Sequence, residues 1–336
     1  MNYEVVTIGD AMKDNFLFPA LSEMRKPIDG DIISSKEKGE KFLIFPFGGK
    51  VTISEIYNDI GGTACNVAVG LSRLKVKTAL VSAIGQDFEG QEVKQKLKKE
   101  TVDLANLKIY LSRKTSFSII ISFKGERTIL VRHNFEPDDF VLPKNINTKW
   151  IYVGPLGEDY KHLYDKIISL AAQKDINIAI NPGSVQINDG LNSFGALLKI
   201  AKIIFLNREE AQILTGLRGA TTVKDLSIVL KKTGIETVVI TDGDNGSYVN
   251  YENGFLKVGV YPSRRVESTG AGDAFASGFL AAYLKNKEML ECLKWGVTNG
   301  AFVVGKYGAQ QGLLSARAIE TKVKEYRWPA DGLRFS

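Results

Sequence analysis

The stretch that decides the fold runs from Trp150 to Ile180 and reads WIYVGPLGEDYKHLYDKIISLAAQKDINIAI. It begins with a short apolar run, Trp150 to Val153, and ends with another, Ile176 to Ile180. Between them, apolar residues recur at helical spacing from Tyr160 to Ala172. Because a strand, a helix and a second strand of these lengths form a crossover between parallel neighbours, this stretch predicts one unit of a parallel α/β sheet.

The same alternation continues downstream. The further predicted elements are helix Leu191 to Ala201, strand Ile203 to Leu206, helix Arg208 to Leu214, helix Val223 to Lys232 and strand Thr237 to Thr241. This pattern is typical of the α/β class, with a doubly wound, mostly parallel sheet that is flanked by helices. Ligands of such sheets collect at the carboxyl ends of the strands. Since no linker or repeat divides the sequence, we expect a single domain over residues 1–336.

Two stretches interrupt the alternation and predict β-ribbons, one within about residues 28–60 and one within residues 116–132. In the second, Phe117 to Phe123 and Arg127 to Val131 flank the turn Lys124-Gly125-Glu126, which predicts a hairpin. Ribbons inserted between the early strand–helix units predict a small β-sheet that covers the main sheet as a lid. Such a lid would exclude water from a reactive site.

Composition limits the class of protein. The 336 residues carry 44 basic and 38 acidic side chains, a net charge of +6, and 44% are hydrophobic, which is typical of a globular chain. The basic residues do not cluster with aromatic ones, so we expect no nucleic-acid partner. Cys65 and Cys292 lie far apart, which argues against a disulfide scaffold or metal cage and for a reduced, cytoplasmic compartment. Met1 to Asp10 predicts a first strand rather than a signal peptide, and no apolar run is long enough to cross a membrane.

The sharpest motif is Glu267-Ser268-Thr269-Gly270-Ala271-Gly272-Asp273, followed by the apolar helical segment Ala274 to Leu284. A long helix that begins at small residues gathers unpaired N–H groups and the positive end of its dipole at one point, which predicts an anion site. Gly270 and Gly272 let a phosphate approach the backbone, and Asp273 can take a proton from an alcohol. Taken alone, the motif fits a capping glycine and an aspartate that complements the helix dipole equally well.

A second motif runs from Asp59 to Leu74 and reads DIGGTACNVAVGLSRL. The paired glycines Gly61 and Gly62 precede a helix and let the backbone meet a ligand. Asn66 lies near the helix start, where its amide can hydrogen-bond hydroxyl groups. An ordinary glycine turn with Asn66 as a cap is the alternative interpretation.

Two strand ends supply candidates for a nucleotide site. Asn207 and Glu210 follow the strand Ile203 to Leu206, and Glu210 can hold a hydrated Mg²⁺ ion. The turn Thr241-Asp242-Gly243-Asp244-Asn245-Gly246 follows another strand and can surround phosphates with backbone groups. The structural alternatives are a helix start and a tight turn. The sequence contains no GxxxxGK[ST] loop, no GxGxxG fingerprint after its first strand and no GxSxG elbow.

In this order, the motifs resemble those of the ribokinase-like, or PfkB, family of carbohydrate kinases, from Gly9 to about Gly312. The resemblance implies an ATP-dependent phosphotransferase that uses Mg²⁺, with Asp273 as general base and an anion hole for the γ-phosphoryl group. The implied anion-hole residues are Gly270, Ala271 and Gly272. The implied nucleotide contacts are Asn207, Glu210, Thr241, Gly243, Gly246 and Asn299. The implied sugar-binding residues are Asp14, Gly61, Gly62 and Asn66. The lid would also form a homodimer contact.

Two positions depart from the family's pattern. Glu267 stands where relatives usually carry an aspartate that helps to bind a monovalent cation such as K⁺, and Met12 stands where ribokinase-like sequences carry an asparagine. The acceptor therefore stays open: we expect a small sugar first, a nucleoside second and a sugar phosphate third. A catalytically silent regulator that binds sugar or nucleotide is the alternative from another class. Candidates for a nucleobase slot are Phe117, Ile119, Phe123 and Phe135, and candidates for a sugar-phosphate site are Lys50, Arg127 and Arg132.

Overall fold

The computed structural model of the chain describes residues 2–19, 45, 48–123 and 126–328. Its strands are β1 (Tyr3–Ile8), β2 (Met12–Pro19), β3 (Ile53–Gly61), β4 (Thr78–Gly85), β5 (Leu107–Tyr110), β6 (Phe117–Phe123), β7 (Glu126–Arg132), β8 (Thr148–Val153), β9 (Asn177–Ile180), β10 (Ala201–Asn207), β11 (Thr237–Thr241), β12 (Ser247–Tyr251) and β13 (Gly254–Val258). Its helices are α1 (Thr63–Arg73), α2 (Phe88–Lys99), α3 (Tyr160–Lys174), α4 (Ser184–Asp189), α5 (Leu191–Leu198), α6 (Arg208–Thr215), α7 (Val223–Lys231), α8 (Ala271–Leu284), α9 (Met289–Val304) and α10 (Ala316–Glu325).

Within these residues, nine strands form the larger sheet, in the order β13-β12-β11-β10-β9-β8-β1-β4-β5. Neighbours from β5 to β11 are parallel, whereas β12 and β13 add an antiparallel edge. The chain first extends the sheet from β1 through β4 to β5 and then returns to β8 on the other side of β1. This reversal opens a crevice at the carboxyl ends of the strands. The predicted mostly parallel α/β fold is confirmed.

Helices cover both faces of the larger sheet, as neighbouring residues of β1 illustrate. Its Val6 belongs to a core that includes residues of α3, α5, α6 and α7, whereas Val5 belongs to a core that includes residues of α1, α8, α9 and α10. Successive side chains of a strand point to opposite faces, so a strand covered on both sides is apolar nearly throughout. The packed layers give fixed positions to the residues that follow the strand ends.

The elements predicted between residues 150 and 241 are found with small shifts in their ends. Helix α3 continues to Lys174 rather than Ala172. Helix α5 ends at Leu198 rather than Ala201, which is instead the first residue of β10. The short helix α4 and the antiparallel strands β12 and β13 were not predicted.

A smaller sheet lies over the carboxyl ends of the central strands of the larger sheet. Its strands within the described residues follow the order β3-β2-β6-β7, with β2 antiparallel to β3 and parallel to β6. The predicted hairpin forms β6 and β7, and residues 124–125 of its turn lie outside the described residues. Of the first predicted ribbon, the structure describes β3, while residues 28–44 and 46–47 lie outside the described ranges. The central strand β2 was not predicted.

The described residues end three residues after the last helix, at residue 328. Helix α10 ends at Glu325, and residues 329–336 of the expected irregular tail lie outside the described residues. None of the helices in the described part of the chain combines the length and hydropathy that crossing a bilayer requires.

Candidate active site

A cavity of about 810 Å³ lies between the smaller sheet and the carboxyl ends of the central strands. The predicted site residues that line it are Asp14, Gly62, Asn66, Asn207, Glu210, Thr241, Gly243, Gly270, Ala271, Gly272 and Asp273. A second cavity of about 270 Å³ shares several of these residues and adds Gly246. We call the part around Asp14, Gly62 and Asn66, where the sequence predicts the acceptor, the acceptor end. The part around Asn207, Glu210 and the β11–β12 turn, where the sequence predicts the nucleotide, is called the nucleotide end. Residues more than 200 positions apart in the sequence therefore share one site.

The two ends meet at the start of helix α8. Gly270 caps the helix in the left-handed conformation, with φ 77°, and a Cβ atom there would lie 2.5 Å from the Cβ of Ala309. The N–H groups of Gly272 and Asp273 have no hydrogen-bond acceptor among the described residues, and a Cβ on Gly272 would meet nothing within 4 Å. An open helix start with unpaired N–H groups is suited to an anion such as phosphate.

Asp273 lies in the first turn of α8, with its carboxylate facing the acceptor end. Its Oδ2 accepts a hydrogen bond of 2.8 Å from Nδ2 of Asn66. Burial raises the pKa of this carboxyl above its usual range, and hydrogen bonds from Asn66 and Thr63, together with the charge of Arg127, oppose the rise. A partly desolvated carboxylate beside anion-binding N–H groups can take up a proton while negative charge is stabilised next to it.

Asn66 is buried, and both ends of its amide have protein partners. Its Nδ2 donates to Asp273, and its Oδ1 accepts a 2.8 Å hydrogen bond from Nε2 of Gln310. Sequence reasoning expected Asn66 to bind sugar hydroxyls, and it did not single out Gln310. The side chain lies on the cavity wall as expected, while its observed hydrogen bonds go to Asp273 and to Gln310.

The paired glycines make room for a buried carboxylate. A Cβ on Gly61 would lie 1.9 Å from Oδ2 of Asp14, and one on Gly62, with φ 93°, would lie 2.3 Å from the carbonyl oxygen of Asp10. Asp14 accepts a 2.6 Å hydrogen bond from Oγ of Ser118 in β6. Burial raises the pKa of Asp14 to about 7, the hydrogen bond from Ser118 opposes the rise, and the charges of nearby carboxylates add to it. Gly61 does not line the cavity; it allows Asp14 to do so.

At the nucleotide end, Asn207 and Glu210 cap each other at the start of α6. Oδ1 of Asn207 accepts from the N–H of Glu210, and Oε2 of Glu210 accepts from the N–H of Asn207, both at 2.8 Å. Burial raises the pKa of Glu210, the N–H of Asn207 opposes this rise, and the charges of Asp273 and Glu209 add to it. The capping alternative is therefore observed, and the two side chains also line the cavity.

The β11–β12 turn is shaped by its glycines. Gly243 has φ 51° with open space beside it, whereas Gly246 has φ 93° and a Cβ there would lie 2.1 Å from the carbonyl oxygen of Val258. Thr241 and Gly243 line both cavities. The smaller cavity is also lined by Tyr261, Phe275 of α8 and Val297 of α9, so it can enclose a flat apolar group.

Like Gly61, two further predicted residues line neither cavity. Asn299 is fully buried: its Nδ2 donates to the carbonyl of Ala274 at 2.8 Å, and its Oδ1 accepts from the N–H of Leu314 at 3.0 Å. Glu267 is 1% exposed and accepts two hydrogen bonds at Oε1 from Thr269. Its Oε2 is buried without a hydrogen-bond partner.

The smaller sheet contributes residues that the motifs did not indicate. Arg127 of β7 hydrogen-bonds Oγ of Ser268 just before α8, so a cation from this sheet reaches the helix start. His133 and Asp10 line the cavity and are joined by a 2.8 Å contact between Nδ1 and Oδ2. The apolar wall of the smaller sheet is formed by Met12, Ile120, Ile129 and Val131. The candidate Phe117 does not line the cavity, and Phe135 is buried in the core.

Comparison with known proteins identifies the family. The pfkB family carbohydrate kinase profile matches residues 31–316. The chain belongs to the pfkB family of carbohydrate kinases. A cytidine kinase of Thermococcus kodakarensis is 29% identical over 273 residues, which cover 79% of this chain and 93% of that protein. The expectation of a kinase is thus confirmed.

Solved structures of similar fold include two kinases. The nucleoside kinase of Methanocaldococcus jannaschii superposes with a TM-score of 0.77 at 20% identity and covers 97% of this chain and 100% of its own. The ribokinase of Arabidopsis thaliana, complexed with ribose and ATP, has the same TM-score at 17% identity, with coverage of 97% and 100%. These likenesses confirm the fold of a pfkB family member.

Proposed function

We propose that this pfkB family kinase transfers the γ-phosphoryl group of ATP to an alcohol group, such as a hydroxymethyl group, of a small sugar, with Asp273 as the general base. The observation that carries the proposal is the position of the Asp273 carboxylate, beside unpaired helix N–H groups and in a cavity that reaches both ends of the site. An acceptor hydroxyl at the acceptor end and a triphosphate at the nucleotide end would both reach this point.

The proposed transfer needs little covalent chemistry from the protein. The acceptor oxygen forms a bond to the γ-phosphorus, the bond between this phosphorus and the departing ADP oxygen breaks, and the hydroxyl proton passes to Asp273. The N–H groups of Gly272 and Asp273 stabilise charge on the transferring group, and Arg127 adds a positive charge from the smaller sheet. Positioning and electrostatic stabilisation supply most of the rate enhancement in such reactions.

The carboxylate chemistry of the site fits the expected cations. Glu210 would hold Mg²⁺, through water, and Mg²⁺ bound with ATP neutralises phosphate charge. Glu267 would take part in binding a monovalent cation such as K⁺, because its Oε2 is buried without a partner. A cation beside this oxygen would offset its desolvation.

The acceptor end favours a neutral polyol over a sugar phosphate. Asp10, Asp14 and Asp273 all line the cavity there, so an anionic acceptor would meet like charges. Lys50 and Arg132 are described residues that do not line the cavity. Arg127 lines it and contacts Ser268 at the helix start. These observations support the ranking of a sugar phosphate below the other two acceptors.

A nucleoside is the second candidate, and the smaller sheet favours it. Met12, Ile120 and Ile129 present an apolar wall against which a base could lie, whereas Phe117 and Phe135, two of the aromatic residues expected for this role, do not line the cavity. The similarity to a cytidine kinase points the same way. Ribose as part of a nucleoside and a free sugar both offer the vicinal hydroxyls that Asp14 could bind.

We also propose that the chain forms a homodimer through the smaller sheet. Exposed apolar side chains on this sheet include Ile56 and Leu130, which are 60% and 53% exposed. Sedimentation analysis of the protein, compared with an Ile56→Lys, Leu130→Lys variant, tests this contact, and a monomeric wild-type protein contradicts it.

The decisive test of the kinase proposal is ADP release with Mg-ATP across pentoses, hexoses and nucleosides, in wild type and Asp273→Asn. Loss of the base should lower kcat on the best acceptor by at least about 100-fold while ATP binding persists. Asp175→Asn is the matched control: Asp175 is exposed in the left-handed C-cap of α3, a conformation that asparagine tolerates, and its activity should equal wild type.

Unchanged turnover in Asp273→Asn contradicts the assignment of the base. No turnover of any acceptor by wild type, with sugar and nucleotide still bound, favours the silent regulator instead.

A further inference from the structure

The Asn66 amide is hydrogen-bonded by a residue outside the motifs, Gln310. Gln310 lies in the loop between α9 and α10 and is fully buried. Its Nε2 donates to Oδ1 of Asn66 at 2.8 Å and also faces Sγ of Cys65 at 3.8 Å. With its oxygen occupied in this way, Asn66 directs its Nδ2 to Asp273. Rotation of the Asn66 amide by 180° would oppose two nitrogens on one side and two oxygens on the other.

Gln310 is an unusual choice for this position if packing alone mattered. Its Oε1 is buried without a hydrogen-bond partner, which carries a desolvation cost that an apolar residue of similar volume would avoid. The nitrogen end, by contrast, makes a hydrogen bond of normal length to Asn66. The arrangement keeps a donor next to Asn66 at the expense of an unsatisfied oxygen.

The loop that carries Gln310 is hydrogen-bonded to the C-terminal end of α1 and packs against the start of α8. Nη1 of Arg73 donates to the carbonyl oxygens of Gln310 and Leu313, at 2.8 and 3.1 Å, and Arg73 also forms an ion pair with Glu100 at 2.6 Å. In the same loop, Ala309 packs where Gly270 lacks a side chain. The loop therefore fixes both the start of α8 and the donor that orients Asn66.

We propose that Gln310 is a positioning residue: it orients the Asn66 amide so that the nitrogen, rather than the oxygen, faces the Asp273 carboxylate. This inference rests on the proposed function, in which Asp273 is the base. Gln310 lines neither of the two described cavities, and it acts through Asn66. The Asn66 hydrogen bond favours the ionised form of Asp273, which is the form that accepts a proton.

The side-chain nitrogen of Gln310 hydrogen-bonds only Cys65 and Asn66 among the described residues, so its contribution can be separated from those of the other groups around Asp273. Asp273 accepts hydrogen bonds from Thr63 and Asn66 of α1. It interacts through charge with Asp14 of β2, Arg127 of β7, Tyr152 of β8 and Glu210 of α6. Of these, only Asn66 hydrogen-bonds Gln310.

The test measures the ionisation of Asp273 directly, in the unliganded full-length protein. The ¹³Cγ resonance of Asp273, assigned by its loss in Asp273→Asn, is titrated in wild type and in Gln310→Met, which keeps the length of the side chain and removes the donor. We expect the midpoint to rise by about one pH unit in Gln310→Met. The acid limb of the kcat/KM profile for the acceptor, which reports ionisation in the free enzyme, should move by the same amount, while KM for ATP stays unchanged.

The neighbouring Gln311 provides the matched control. Its Nε2 donates at 3.2 Å to Oδ2 of Asp59, outside the cavity, so Gln311→Met loses a comparable hydrogen bond and should leave the Asp273 titration unchanged. Asn66→Ala should raise the midpoint by itself, and adding Gln310→Met to it should have no further effect. Thermal unfolding monitors the fold, and Gln310→Leu replaces Gln310→Met if the latter does not fold.

An unchanged Asp273 midpoint in the folded Gln310 variant overturns the proposal, as does a further shift in the Asn66→Ala background. A uniform loss of kcat at all pH values, with the titration unmoved, would mark Gln310 as merely structural. Because the titration needs no turnover, it tests Gln310 even if wild type releases no ADP, an outcome that would count against the proposed function alone.

Discussion

The two ends of the cavity are built in opposite ways. At the acceptor end, Asp14 and Asn66 are 5% and 4% exposed, and each is held by hydrogen bonds from buried side chains. At the nucleotide end, Asn207 is exposed, Gly243 has open space beside it, and the groups presented are mainly backbone and helix caps. In the proposed function, acceptor choice would therefore depend on a few buried side chains, whereas the nucleotide would be held by main-chain geometry that many sequences can provide.

Gly270 lies where the two ends meet, and its replacement should lower activity more than a change at either end alone. Gly270→Ala would place a Cβ 2.5 Å from the Cβ of Ala309, in a left-handed conformation, and would displace the start of α8. Since a misplacement of about 1 Å can cost roughly 100-fold in rate, we expect kcat to fall by about that factor. Steady-state kinetics with the best acceptor measures the fall.

A matched control separates backbone strain from displacement. Gly216 caps α6 with φ 70° and nothing within 4 Å of its Cβ position, so Gly216→Ala bears the same conformational cost without a clash. We expect destabilisation from the backbone strain alone, and nearly normal kcat. Equal kcat values in the two alanine variants would show that the start of α8 does not depend on the contact between Gly270 and Ala309.

The difference between the ends also explains what the sequence could predict. The strands and helices from residue 150 to 241 follow local apolar periodicity, and the caps of α6 follow from Asn207 and Glu210, three residues apart. Strand β2 was missed because Lys13 and Asp14 are polar and buried only through distant partners, Glu92 and Ser118.

Long-range partners limited the prediction of the site as well. Asn66 and Gln310 are 244 positions apart, and no local pattern links them. The family resemblance implied that Asn299 contacts the nucleotide, yet its amide hydrogen-bonds the backbone of Ala274 and Leu314 inside the fold. Residue type and spacing could identify the helix starts, but the hydrogen-bond partners at the acceptor end required the three-dimensional arrangement.

Burying a carboxylate at the acceptor end should cost stability at neutral pH. The folded pKa of Asp14 is about 7, above the value near 3.9 of an unfolded chain. Between these values the folded protein keeps a proton that the unfolded chain has released, so the free energy of unfolding falls as pH rises from about 4 to 7. Asp14→Asn removes this dependence and should raise the free energy of unfolding at pH 8 by up to roughly 4 kcal/mol, with little change at pH 4.

The same variant should lose acceptor affinity. Removing a carboxylate that binds a hydroxyl leaves kcat/KM for the acceptor at least about tenfold lower, while KM for ATP is unchanged. Urea unfolding at pH 4 and 8 and steady-state kinetics measure the two effects. Asp59→Asn is the contrasting control, because Asp59 is buried beside Lys96 and outside the cavity, so its loss should destabilise the protein. A destabilised Asp14→Asn at pH 8 contradicts the predicted cost.

The smallest effect is expected at the nucleotide end, where a cap and a ligand contact must be told apart. Asn207→Ala removes the Oδ1 acceptor from the N–H of Glu210 and should lower the free energy of unfolding by about 1 kcal/mol. Asn207→Ser can restore this cap but not the reach of the amide. If Asn207 also contacts phosphate or Mg²⁺ water, Asn207→Ser recovers stability while KM for Mg-ATP stays a few-fold above wild type. If serine restores both the stability and the KM for Mg-ATP, Asn207 acts only as a helix cap, and main-chain groups alone would bind the nucleotide.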